Sequence, residues 1–219
     1  MSSATSPVKS RKGGSPISSA APAESGAARP SPARDRILGT AMRLFTSVGV
    51  RAVGVDRLIA ESRVARMTFF RHFPSKSDLV VAFLTARARA DREELSEIRR
   101  THGPRALLAA VEAGITSATT ADGFRGCEFI NTAAEFCDRD HPARVVIHQH
   151  RAWIRDQMKD ALTDLGHPTP LATAETLLML RTGAIVAASL EGLDNTGELE
   201  KCWWTLVDRP GSSRTASTS

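Results

Sequence analysis

The stretch Val55–Leu79, VDRLIAESRVARMTFFRHFPSKSDL, decides the fold. Val55, Leu58 and Ile59 stand at i, i+3 and i+4 and give one apolar helical face. Ser62-Arg63-Val64 interrupts that spacing, and Ala65 to His72 resumes it, with Phe69 and Phe73 four apart. Pro74 ends the second helix, because the residue before a proline is pushed out of the α region. Ser75-Lys76-Ser77-Asp78 has the form of a capping box. The Ser75 side chain is expected to cap the third-position amide, and Asp78 to reach back to the cap amide. Two short helices across a three-residue turn match a helix-turn-helix, a unit whose second helix fits the DNA major groove.

Charge is distributed unevenly around this stretch. Residues 34–80 hold nine Lys/Arg against four Asp/Glu, and residues 1–33 hold four against one. Residues 81–219 hold sixteen against nineteen, within a formal net charge of +5 for the 219-residue chain. A basic head on a mildly acidic body suits a polyanionic partner for the head alone. No apolar run approaches the roughly 18 residues of a membrane span, and the N-terminus lacks an apolar signal core. A cytoplasmic protein with no membrane partner is the expectation. Cys127, Cys137 and Cys202 have no CxxC spacing, so they form no zinc motif and fit a reduced compartment. No metal or cofactor is expected.

From Arg34 to Leu84, about a quarter of the chain, the sequence resembles the DNA-binding head of the TetR family of bacterial transcriptional regulators. The resemblance rests on Ile37, Leu38, Ala41, Leu44, Phe45 and Gly49, then Val55, Leu58, Ile59 and Ala60. After the turn it continues through Val64, Thr68, Phe69, His72, Phe73, Ser75, Lys76 and Leu79. The expected fold is all-α, about nine helices: a three-helix head with the helix-turn-helix, then a larger helical body for effector binding and dimerisation. The boundaries are a disordered basic tail at 1–33, the DNA-binding head at 34–80, the body at 81–208 and a disordered tail at 209–219.

The resemblance directs Arg66, Met67, Thr68, Phe70, Arg71 and His72 of the recognition helix toward DNA. Arg66 suits a guanine edge, while Thr68 and Phe70 suit a thymine methyl. Arg71 and His72 suit phosphates, which position without reading sequence. Lys76 adds a phosphate contact in the first turn of the next helix. Four positions depart from the family pattern. Gly54 caps the second helix where a threonine is common, so it offers no hydroxyl. Arg63 fills a turn position that is usually glycine, where a positive φ costs on the order of 1 kcal/mol. Ala65 stands in place of a capping serine, and Phe70 in place of a tyrosine. Arg63, Arg66 and Arg71 are expected to compensate electrostatically, and the resemblance keeps Gly54 and Arg63 among the candidate DNA-binding residues.

Beyond the head, the spacing predicts helices over 76–100, 105–120, 126–137, 141–165, 171–190 and 198–207, with breaks at His102-Gly103-Pro104 and Gly166–Pro170. The helix from Leu171 to Leu190 is apolar on nearly all sides and so needs cover on all sides, which points to a second subunit. Leu199, Cys202, Trp203, Leu206 and Val207 form a stripe on the last helix. The two helices resemble the pair that forms the family's four-helix dimer interface. The candidates there are Leu177, Leu180, Arg181, Ala184, Ala188, Leu199, Trp203 and Leu206. The resemblance implies a dimeric repressor on a palindromic operator, released when a small-molecule effector enters the body. Cys127, Phe129, Phe136, Trp153, Met158 and Arg181 are the candidate effector contacts, because they mix bulk with occasional polarity.

Three other readings compete. Cys127, near Arg125 and a helix N-terminus, suits a redox switch. His141, His148, His150 and His167 are raw material for an enzyme, but no nucleophile elbow, HExxH or phosphate loop accompanies them. Catalysis is therefore not expected. A ligand-blind architectural DNA binder is the third.

Overall fold

A computed structural model describes residues 31–120, 124–136, 138–191 and 196–209. Cys137, most of both expected tails, and the tail cations Lys9, Arg11, Lys12 and Arg29 lie outside the described residues. Among those described there are nine helices and no strand. They are α1 (Pro32–Val48), α2 (Val55–Ser62), α3 (Arg66–His72), α4 (Lys76–His102), α5 (Pro104–Thr120), α6 (Glu128–Glu135), α7 (Pro142–Asp164), α8 (Pro170–Glu191) and α9 (Thr196–Val207).

Local chemistry sets most boundaries. The capping box forms in full: the Asp78 amide donates to Ser75 Oγ at 3.1 Å, and the Ser75 amide donates to Asp78 Oδ2 at 2.9 Å. Arg63 sits in the left-handed region at φ 53°, ψ 46°, so the turn demands what a glycine normally supplies. α1 starts two residues before the expected Arg34, because Pro32 is pre-organised for the first helical turn. α6 is shorter than the expected 126–137. Gly126 at φ 85° blocks helix entry until Cys127, and Phe136 is already extended.

Two apolar cores result. The first joins Leu44 and Phe45 of α1, Leu58 of α2, Phe69 of α3 and Phe83 of α4, and it runs on to Phe129 of α6. The second joins α5, α7, α8 and α9 through Leu107, Leu108, Met158, Ala174, Leu177 and Trp203. One expectation needs correction here. With only Glu175 and Arg181 charged before its last residue, Pro170–Leu190 is long and apolar enough to cross a membrane by length and composition, with mean hydropathy 1.4. In the fold, Ala174, Leu177, Leu178 and Ile185 turn one side of α8 into the second core. Met179 (62% exposed), Gly183 and Leu190 (78% exposed) remain on the other side.

Candidate nucleic-acid interface and body cavities

α3 is anchored by its one fully buried residue, Phe69, while Thr68, Phe70 and His72 are half-buried and the remaining three side chains are exposed. Phe69 packs into the head core, with Phe70 edge-on to it at 5.4 Å. Arg66, Met67 and Arg71 face solvent, Met67 at 81%. An exposed methionine beside two arginines is a surface awaiting a partner. Arg66 lies 5.5 Å over the Phe70 ring and pairs with Asp56 Oδ1 at 2.7 Å. Both groups are solvated, so this pair holds the guanidinium weakly and leaves it free to re-pair.

Two head candidates are partly committed elsewhere. His72 Nε2 and Ser31 Oγ share a hydrogen bond of 3.3 Å, which ties the start of α1 to the end of α3. Lys76 Nζ donates to the Arg51 carbonyl at 3.5 Å; burial holds its pKa below the ordinary lysine value, with Glu135 opposing. Glu135 Oε1 also accepts the Arg51 amide at 3.1 Å. At the other end of α6, Arg125 Nη1 donates to the Val48 carbonyl at 3.2 Å. Thus α6 is pinned to the α1–α2 connection from both ends. Ser77 Oγ and His141 Nε2 add a bond of 2.9 Å between α4 and α7.

Two cavities open beside α6. The first, about 260 Å³, lies among α4, α5, α6, α7 and α8 and carries Arg87, Asp91, Glu94, Glu128 and Arg181. The second, about 270 Å³, lies among α6, α7 and α8. Cys127, Phe129, Ile154 and Arg181 border both. Of the expected effector contacts, the fold brings Cys127, Phe129 and Arg181 together. Phe136 instead stacks on His141 at 4.1 Å, Trp153 lies under the Arg92 guanidinium at 5.7 Å, and Met158 is fully buried in the body core. None of these three lines either cavity. The residues missed are Arg144, His148, His150 and Arg151 of α7. Positions 144, 148 and 151 carry a readable signal, since i, i+4 and i+7 place three nitrogen-bearing side chains on one helical face.

The expected dimer residues also divide. Leu177, Leu199 and Trp203 are buried within the subunit core, so they are corrected to intramolecular packing. Leu180, Arg181, Ala184, Ala188 and Leu206 keep partial exposure. The histidines have local uses: His141 caps α7 by accepting the Ala143 amide, and His167 shares a bond of 3.0 Å with the Leu206 carbonyl. No group of three or more metal-ligating side chains occurs among the described residues.

An all-helical body carrying a basic helix-turn-helix with an exposed second helix defines a DNA-binding regulator. Residues 37–83 match the family model described as bacterial regulatory proteins, tetR family. A TetR-family transcriptional regulator from Streptomyces coelicolor is 34% identical, over 81% of this chain and 93% of that one, with a TM-score of 0.70. A TetR-type transcriptional regulator from Streptomyces avermitilis is 27% identical, over 82% and 97%, with a TM-score of 0.72. NemR of E. coli in its reduced form shares the fold at 21% identity, over 81% and 97%, with a TM-score of 0.69. No curated protein matches significantly. The chain belongs to the TetR family of transcriptional regulators.

Proposed function

We propose that the protein is a homodimeric repressor that holds a palindromic operator and releases it when a small molecule occupies the body. In this reading residues 34–80 are the DNA reader, and residues 81–208 bind the effector and dimerise. The protein acts in the cytoplasm beside the chromosome and performs no catalysis. A twofold dimer sets two recognition helices about 34–36 Å apart, one DNA turn. The partly solvated side of α8, with Met179, Gly183 and Leu190, supports that pairing, because a stripe this apolar needs cover. The observation that carries the release step is α6. It borders both cavities through Phe129, while Glu135 at its C-terminal end grips the backbone of Arg51 in the head. A ligand that prefers the shifted position of α6 lowers operator affinity by that preference and no more.

The test begins with selection of bound duplexes from a random pool. Sedimentation of the recovered complex should give two protomers per palindrome; one protomer per duplex breaks the proposal. On that operator, Arg66→Ala should relax preference at one base position at a cost of about 1–3 kcal/mol there. Arg71→Ala should weaken all duplexes alike and flatten the salt slope by about one. Identical behaviour of the two variants would remove the division between reading and positioning.

A second reading makes Cys127 a redox switch. It is half-buried at the N-cap position of α6 and borders both cavities. Peroxide should then release the operator from the wild type and not from Cys127→Ser.

A further inference from the structure

The two cavities differ in how their charges are spent. In the first, Arg87 pairs with Glu128 at 2.8 Å and approaches Asp91 at 3.8 Å, so cations and carboxylates offset one another. The second has Arg144, Arg151 and Arg181 with His148 and His150, and no carboxylate among its described lining residues. The remaining wall is apolar, through Phe129, Ile130, Ile147, Ile154 and Leu178.

Placing guanidiniums together without an anion is costly, because arginine cannot shed its proton at physiological pH. The crowding registers at Arg151, whose side chain still reaches solvent. Burial first, and then the like charge of Arg181, hold its pKa below the ordinary arginine value, with Cys127 opposing. Arg151 Nη1 donates to Thr182 Oγ1 at 2.9 Å and Arg144 Nη1 to the Ala133 carbonyl at 2.8 Å. Both bonds orient the side chains, and neither neutralises them. His150 gives an independent sign. It is 4% exposed, stacks on Phe129 at 4.2 Å, and neither ring nitrogen makes a hydrogen bond among the described residues. Its Nε2 lies 3.2 Å from Asp91 Oδ2 but outside hydrogen-bond geometry, and its Nδ1 has nothing at all. A buried, unsatisfied ring nitrogen on a cavity wall is a polar position kept for something else.

We propose that the cavity among α6, α7 and α8 binds a small organic carboxylate, its anionic end held by Arg151 and Arg181 and its hydrocarbon part against Phe129, Ile130 and Leu178. Planar guanidiniums match a carboxylate through paired N–H donors. The cavity's roughly 270 Å³ is at the small end for ligand sites, which favours a short aliphatic or single-ring acid over a nucleotide. An inorganic anion would leave the apolar wall unfilled. The inference rests on the effector reading above for its regulatory meaning, and on the cavity alone for its chemistry.

The test uses the full-length protein and matched probes: hexanoate against hexanamide, and phenylacetate against phenylacetamide, by titration calorimetry. Each acid should bind about tenfold or more tightly than its amide, from the charge-assisted bonds the amide cannot make. Arg151→Gln and Arg181→Gln should each erase most of that ratio, and Arg151→Lys should restore part of it. Circular dichroism verifies that the variants fold, and the wild-type acid-to-amide ratio decides the matter even where they do not. Equal binding of acid and amide, or no saturable binding of either acid, overturns the carboxylate assignment. So does an acid preference indifferent to both arginines. Operator affinity is read in parallel. Acids that bind as expected without releasing operator leave this site standing and sink the effector reading. Release by the amides alone does the reverse.

Discussion

The head and body cores are built from different materials. In the head, phenylalanines interlock: Phe45 meets Phe83 edge-on at 5.3 Å, and Phe69 meets Phe73 at 6.4 Å. The body core is mainly aliphatic around Trp203, and it borders two cavities of about 260 and 270 Å³. Aromatic edges fix one arrangement, whereas an aliphatic shell around a void can take up several. On the proposed function, the head must present Arg66 and Arg71 in one geometry, whereas the body must keep room for a ligand. The same chemical change in the two cores exposes this difference most strongly. Leu58→Ala, in the head, should cost about 3–5 kcal/mol, because tight packing forbids collapse around the lost side chain. Leu178→Ala, on the wall of the second cavity, should cost only about 2 kcal/mol, since one flank already lacks partner atoms. Equal losses in urea melts would dissolve the contrast.

That contrast also explains what the sequence could convey. The head is specified by local chemistry, so the capping box at Ser75–Asp78, the stop at Pro74 and the strained turn at Arg63 are readable one residue at a time. The body's helices are equally legible from periodicity, but their roles are not. α8 is apolar nearly all round, and only packing tells that Leu177 turns inward while Met179 turns out. Trp203 looked like an interface residue for the same reason, and it is fully buried against its own subunit. The cavities are harder still. Their walls come from helices far apart in sequence, so bulk alone singled out Phe136, Trp153 and Met158, which lie elsewhere. Charge spacing on α7 marks one wall of the second cavity.

Arg63 tests the idea that the head gives up stability for position. Its left-handed backbone suits glycine, so Arg63→Gly should raise stability by about 0.5–1 kcal/mol, read as a higher melting temperature. If Arg63 meets a phosphate, the same variant should lose affinity for every duplex and flatten the salt slope by about one. A gain in stability with unchanged salt dependence would keep the strain and discard the contact.

The weakest expected effect lies at the body's far end, where α5 meets the residues after α9. Arg105 donates twice to Asp208, Nη1 to Oδ1 at 2.6 Å and Nη2 to Oδ2 at 3.1 Å, and lies 4.5 Å over the Trp204 ring. The hydrogen bond from Arg105 is the main reason that the Asp208 pKa falls below the ordinary 3.8. A depressed folded pKa means that the pair's contribution is present above 3.8 and lost as pH falls through the lower folded value. Both groups are solvent-exposed, so the stabilisation is well below about 1 kcal/mol. Asp208→Asn should therefore lower the melting temperature slightly at neutral pH, with the difference from wild type vanishing in strong acid. The stacking on Trp204 needs no carboxylate and should survive in that variant. A difference that persists in acid would mean that Asp208 acts through packing instead of charge. This end of the body would then be held as the head is, by shape.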